Sequence, residues 1–573
     1  MVTRSDQRRL EQLPVHLTAE AEERTILRAA GQIGFFTILS RITGLIRDVV
    51  IGSVFGVGVQ TDAFFVAFRI PNLLRRVVGE GAAAAAIVPV LSEYLARRSR
   101  AEAMDVVRSL WGMGIIMLCL STAVGLFYTA AIVHVFAPGF SGAKLELTVT
   151  LTHLMFFYLF CIGGVALTMG VLHALRHFAA PAFAPVLFNF AIIACALWLS
   201  RILTEPVVSL AYGVVFGGIC QLAWQIPPLV RLRVPLLPRW QPGHPALKRI
   251  GVLLLPLLFG AGIYQVNQIV STLFASMLVE GSVSALWYAN RLFEFPVGVF
   301  VTALGTAVLP SLAVQALQPD PRQLRERLGF ALRLVNLITL PAAVGLIVLA
   351  EPLSSVLFLH GAFGTTAVRD TAGALQGYAV GLWMVATTRM LSACLYALQD
   401  TRTPVVGATV SFVVKLVFSL MLMGEVTSSG DDRTLVRIIA KLSATMGIVN
   451  WGVSGLAFAT SGAAFVGLLV QAIILYRRLG FPWAAWWSSV LWSLAGCGVM
   501  ALPLWWIAGR IVWLETNVSF VERGAVLTLA ILVGSVSYLV IAWKGGEKEF
   551  RALAGLLPQR ALRLFPQRFQ PRG

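Results

Sequence analysis

Runs of about 20 or more apolar residues, each long enough to cross a hydrocarbon core roughly 30 Å thick, recur about fourteen times along this chain. A backbone inside lipid must satisfy its own N–H and C=O groups, so such runs leave only helices or a closed barrel. Barrel strands would alternate apolar and polar residues, and these runs do not. With 58% hydrophobic residues, 13% charged residues and a mean hydropathy of +0.81, the chain carries more apolar surface than a soluble core can hide. The expected fold class is an all-α integral membrane protein. About 25 polar residues precede the first run, without a short apolar stretch and small-residue cleavage site, so no removable signal peptide is expected.

A net charge of +18 in a soluble protein would point to nucleic acid, but its distribution points to a membrane. Of the 45 Lys and Arg residues, 29 fall on the side of the membrane that holds the N-terminus, 8 on the other side and 8 within the apolar runs. That bias predicts both termini in the cytoplasm. The outside loop Glu425 to Lys441 carries both signs and reads as a longer solvated excursion. The basic tail is expected to meet anionic lipid headgroups, with no nucleic-acid partner. All six cysteines lie in apolar runs without CxxC or metal spacing and read as small core residues; no metal and no cofactor are expected.

The chain repeats itself. Leu172-His173-Ala174-Leu175 followed by Pro181 matches Leu395-Tyr396-Ala397-Leu398 followed by Pro404, at an offset of 223 residues; Arg69 matches Arg291 at 222. Six runs separate the copies, so both start on the same side of the membrane and the repeat is parallel. The expected organisation is a cytoplasmic tail 1–25, an N-lobe 26–230, a C-lobe 248–476, a two-helix appendage 485–543 and a basic cytoplasmic tail 544–573. Two six-helix lobes, related by a pseudo-two-fold axis, are expected around a central cavity.

The candidate site comes from charges that lipid does not tolerate. Arg41, Arg47, Arg69, Arg75, Arg76, Arg291, Arg389 and Lys415 lie within the apolar runs, where each costs about 2.5–3.5 kcal/mol at the bilayer centre unless it faces something polar. In the run 62–95, Asp62, Arg69 and Arg76 recur every seven residues with Glu80 next, forming one helical stripe with Arg75 beside it; Pro71 is expected to kink or split that helix. Arg291 has Glu294 at i+3. Guanidinium forks suit diphosphate and carboxylate oxygens, so Arg41, Arg69 and Arg291 read as anion-binding, with Arg47, Asp62, Arg75, Arg76, Glu80, Asn290 and Glu294 as supporting or gating groups. Arg389 and Lys415 receive no role. A cation exporter would concentrate acids instead. A membrane glycosyltransferase would need acid or metal-ligand clusters, whereas the seven His are scattered and no DxD or HExxH occurs. No enzyme activity is expected.

The run Ser40-Arg41-x-x-Gly44-x-x-Arg47-Asp48, the stretch Thr61 to Arg76, Glu80-Gly81 to Pro89, Arg291-Leu292 with Pro296, and Ala397 to Pro404 resemble the MurJ (MviN) lipid II flippases of the multidrug/oligosaccharidyl-lipid/polysaccharide (MOP) exporter superfamily. The resemblance covers about residues 28 to 480. It implies transport of an undecaprenyl-diphosphate-linked disaccharide-pentapeptide, lipid II, from the inner to the outer leaflet of the bacterial inner membrane by alternating access, for peptidoglycan synthesis. It also implies a lipid-tail groove formed by residues 485–543 and essential roles for Arg41, Arg47, Asp62 and Arg291. Lipid II and membrane lipids are the implied partners, with a monomer that associates with the cell-wall synthesis machinery. Flipping of another polyprenyl-diphosphate glycan would use the same chemistry. Asn290 departs from the family's acid before the arginine, and the tract Ala82 to Ala86 replaces more varied residues.

Overall fold

In the computed structural model, residues 15–74, 82–318, 320–426, 434–480, 483–515 and 518–545 are described. Every regular element among them is helical. The chain opens with α1 (Val15–Phe55), α2 (Val59–Leu74), α3 (Ala82–Arg97), α4 (Arg100–Phe127), α5 (Thr129–Phe136), α6 (Gly142–Ala174), α7 (Ala179–Trp198) and α8 (Val208–Arg231). It continues with α9 (Pro245–Ser276), α10 (Ser282–Pro296), α11 (Thr302–Ala316), α12 (Pro321–Val348), α13 (Ala350–Phe358), α14 (Thr365–Val380) and α15 (Leu382–Ala397). The last five are α16 (Arg402–Leu422), α17 (Thr434–Met446), α18 (Gly452–Leu479), α19 (Trp483–Ala508) and α20 (Phe520–Gly545). Among the described residues, ten helices are long and apolar enough to cross a membrane. The remaining expected crossings fall on α1, α2 with α3, α9, and α10 with α11. Of these, α1, α2 and α10 carry the arginines that lie within the apolar runs of the sequence.

The duplication reappears in the backbone. Helix α4 and helix α12 are each 28 residues long, displaced by 221 positions. Both end in the same break: Tyr128 at φ −97°, ψ 15° and Leu349 at φ −96°, ψ 15°. The expected span 106–137 is therefore two helices, α4 and α5. Further on, Arg176 and Gln399, 223 apart, take positive φ of 59° and 57° although neither is glycine. Each sits in the same helix stop, with His177 N–H donating to Leu172 O and Asp400 N–H to Leu395 O, both at 2.8 Å. The six-to-one bond satisfies carbonyls that a helix end would otherwise strand.

Pro71 does not split its helix, since α2 runs through it to Leu74. After Pro296 the backbone makes a π turn, Val297–Val301, before α11 resumes. The missing proline N–H and a looser i+5 pattern belong together there. The expected span 444–476 also changes: residues 444–446 end α17, and the crossing begins at Gly452.

The chain forms two compact units, 1–51 with 66–133 and 145–266, and 52–65 with 134–144 and 267–573. In the first, α7 packs on α8, and a core including Ile87, Val107, Trp111, Leu172 and Leu229 fills beneath α3, α4 and α6. In the second, α14 and α16 pack on α18, and α19 and α20 pack on each other and on α12. Lipid is as apolar as a leucine side chain, so helices in it associate through close packing and polar contacts. At the α14 and α18 crossing the side chains are small: Gly377 and Gly381 face Ala457 and Ser461, and the Ser461 hydroxyl donates to Gly377 O at 2.6 Å. The appendage is tied by Trp383 stacked on Trp486 and by the Tyr538 hydroxyl donating to Leu337 O at 2.9 Å.

Candidate functional site

In the first unit, Arg47 is buried, 5% exposed, and held from three directions. Its Nε and Nη2 donate to Asp48 Oδ1 at 3.0 and 2.7 Å, and its Nη1 donates to Asn189 Oδ1 at 3.2 Å. The guanidinium also lies over the Phe68 ring, which stacks on Phe188. Asn189 Nδ2 in turn donates to Ser40 O and to the Thr43 hydroxyl. One amide on α7 thus fixes both Arg47 and the backbone immediately before Arg41. Arg41 and Arg69 are half-buried on α1 and α2. Arg75, Arg76 and Glu80 lie outside the described residues, so the stripe expected from Asp62 to Glu80 is followed only as far as Arg69.

In the second unit, Asp62 is 1% exposed and accepts four hydrogen bonds. Oδ2 takes Lys144 Nζ and Gly281 N–H, each at 2.8 Å; Oδ1 takes Ser284 N–H at 2.9 Å and the Ser284 hydroxyl at 2.7 Å. Asp62 therefore holds a lysine and the first turn of α10, not an arginine of its own helix. A carboxylate at a helix N-terminus also meets the positive end of the helix dipole. In the same unit Phe65 stacks on Trp287 at 4.8 Å, Ala362 N–H donates to Ser53 O at 2.8 Å, and Gly139 N–H donates to the Ser276 hydroxyl. Gly281 has φ 88°, a left-handed conformation that lets its N–H turn to the carboxylate.

Further along α10 stand Asn290, Arg291 and Glu294. Asn290 is half-buried. The Arg291 side chain is 30% exposed, with Glu294 one turn on at 3.8 Å, and the π turn follows within three residues. Arg389 is exposed and donates to the Thr302 hydroxyl at 3.4 Å, at the start of α11. Lys415, 2% exposed on α16, donates to Asn267 O at 2.8 Å, to the Asn267 side-chain oxygen and to the Ser271 hydroxyl at 2.6 Å. Among the described residues, no three His, Cys, Asp or Glu side chains gather as a metal site would require.

Reading the sequence missed Lys144, Asn189, Gly281 and Ser284 as partners. Asn189, one polar residue in the otherwise apolar α7, was the available signal. Lys144 lies 82 residues from Asp62, and nothing local connects them.

Repeated helices long and apolar enough to cross a membrane, with arginines within the apolar runs, are the architecture of a polytopic transporter. The fold is shared with a solved inward-facing multidrug resistance MATE family transporter of the MOP superfamily, at a TM-score of 0.59 and 16% identity over 77% of this chain and 94% of that one. It is shared more fully with a lipid II flippase MurJ in the inward closed conformation: TM-score 0.69, 24% identity, 89% of this chain and 97% of that one. The family model described as lipid II flippase MurJ matches residues 51–430, and the chain belongs to that family. A probable lipid II flippase MurJ of Vibrio cholerae serotype O1 is 32% identical over 531 residues, 90% of this chain and 96% of that relative. The lipid II flippase MurJ of Burkholderia cenocepacia is 32% identical over 535 residues, covering 91% and 98%.

Proposed function

We propose that this chain carries lipid II from the cytoplasmic to the outer leaflet of the bacterial inner membrane. The observation that carries this reading is the family match over residues 51–430, joined to near full-length relatives. The chemistry agrees: an undecaprenyl diphosphate brings two phosphate groups into the membrane, and Arg41, Arg69 and Arg291 supply guanidinium forks matched to their oxygens. Arg47 acts by holding the helix that carries Arg41. Glu294 orients Arg291, the role that the adjacent acid has where Asn290 stands here. The prenyl tail stays in lipid along residues 485–543.

Transport proceeds by alternating access, with both termini cytoplasmic, as the charge bias of the loops supports. On that orientation Asp62, Lys144, Gly281 and Ser284 form a latch at the outer side, which opens when the headgroup is released outward. Binding to the arginines must be balanced between the two states, since a ligand that prefers one of them tightly would trap it. The chain works as a monomer beside the cell-wall synthesis machinery.

The test replaces a chromosomal flippase with this chain and measures lipid II in the outer leaflet. Arg41→Ala and Arg291→Ala are each expected to abolish its appearance while the protein remains folded in the membrane. Normal flipping by both variants would refute the assignment of those arginines to the cargo.

A further inference from the structure

Helix α17 has no place in the transport cycle described above. The loop that holds it reads as a solvated excursion from sequence, and within it the structure places a helix of 13 residues, Thr434–Met446. At 100° per residue its side chains divide into three faces. Val436 and Ser443 are buried against the protein. Leu435, Ile438 and Leu442 share a second face and are 51%, 53% and 40% exposed. Arg437 and Lys441 occupy the third, beside the apolar one and away from the buried one.

The depth at which this helix ends is fixed by hydrogen bonds to the end of α16. Helix α16 has 21 residues, which at 1.5 Å per residue makes about 31 Å, one hydrocarbon thickness. It ends at Leu422, so Leu422 marks the far interface. The Ser443 hydroxyl donates to Gly424 O at 2.7 Å, Ile448 N–H to Met421 O at 3.0 Å, and Trp451 N–H to Leu422 O at 3.2 Å. These bonds hold the C-terminal end of α17 and the turn after it within about one helical turn, roughly 5 Å, of that interface. Ile448 and Trp451, next to it, are 68% and 50% exposed, and an exposed tryptophan at this level is what an interfacial belt contains.

We propose that α17 lies in the plane of the lipid–water interface, with Leu435, Ile438 and Leu442 among the acyl chains and Arg437 and Lys441 at the headgroups. The occupant of its open face is the phospholipid surface. A basic pair flanking an apolar stripe is the pattern that such a surface accepts, because long cationic side chains reach back to phosphate while their stems stay apolar. The helix then acts as a float that sets the depth of α16 and α18.

The experiment uses the full chain in nanodiscs of phosphatidylcholine and phosphatidylglycerol. The exposed Cys119 and Cys220 are replaced by serine, and one nitroxide-labelled cysteine is introduced at Ile438, at Leu442 or at Lys441. Oxygen, which concentrates in lipid, and a water-soluble nickel chelate then compete to relax each label. The expected result is several-fold greater relaxation by oxygen than by nickel at 438 and 442, with the order reversed at 441. Nickel dominating at all three positions means a helix standing in water and overturns the proposal. Labels at 438 and 442 that neither reagent reaches would mean that another protein or a second copy covers the face, which also overturns it.

Discussion

Replacing Asp62 by asparagine keeps the shape of the side chain but leaves one acceptor oxygen where there were two. The four donors are divided in pairs, Ser284 N–H and hydroxyl on Oδ1, Lys144 Nζ and Gly281 N–H on Oδ2. Whichever way the amide turns, its oxygen serves one pair and its NH2 faces the other. If the Ser284 pair is kept, two bonds to a charged acceptor are lost, each about 1.5–3 kcal/mol, or about 3–6 kcal/mol together. Lys144 is 15% exposed and recovers water by turning outward, which brings the cost to the lower end, about 3 kcal/mol. That changes the equilibrium for opening this latch by about a hundredfold. Opening is read by placing a cysteine at Ala63, which is fully buried in the latched state, and timing its reaction with a membrane-impermeant maleimide in nanodiscs. Ala63→Cys with Asp62→Asn should react about a hundredfold faster than Ala63→Cys alone. Rates within twofold of each other would show that the four bonds do not hold the segment closed.

Removing Asp48 strands a buried guanidinium, so Asp48→Ala should cost about 3–5 kcal/mol in thermal unfolding; an unchanged midpoint would refute the pairing with Arg47. At the α16 entrance, the Thr403 hydroxyl first, then its N–H and the Arg478 guanidinium, hold the Asp400 carboxyl below the ordinary carboxylate range. A depressed folded pKa gives stability that is complete above the unfolded value, about 3.9, and is lost as pH falls through the lower folded value. Asp400→Ala should therefore lower stability by about 1 kcal/mol at neutral pH, and the gap should close in acid below pH about 3.9. A gap independent of pH would place its origin elsewhere. An inside-negative potential should speed outward flipping of uncompensated anionic charge, worth about 2.3 kcal/mol per charge per 100 mV; transport in vesicles indifferent to potential would exclude that drive.

Ten of the roughly fourteen expected spans and the repeat were legible because each depends on local chemistry: apolar length in one case, recurring residues at a fixed offset in the other. The offset of 223 read from Leu172 and Leu395 returned as two identical helix stops. Arg47 beside Asp48 was legible for the same reason, being adjacent in sequence. What escaped was decided by contacts between distant segments. Nothing around Asp62 announces Lys144 or the N-terminus of α10. The break at Gly381 falls where α14 presses on Ser461 of α18, 80 residues later. Helix α17 escaped because its charges were read by loop position, while its apolar residues recur at helical spacing too briefly to look like a span.

The division of the chain into units has a consequence for dissection of the gene. The second unit contains 52–65 and 134–144, two segments encoded in the first half, both N-terminal to the linker between α8 and α9. Cutting at that linker follows the sequence duplication, yet it gives a C-terminal fragment that lacks Asp62 and Phe65, which contact α10, and Lys144, which pairs with Asp62. The halves thus repeat one another without being independent parts, and co-expressed fragments are complete only when the first lends these two segments to the second.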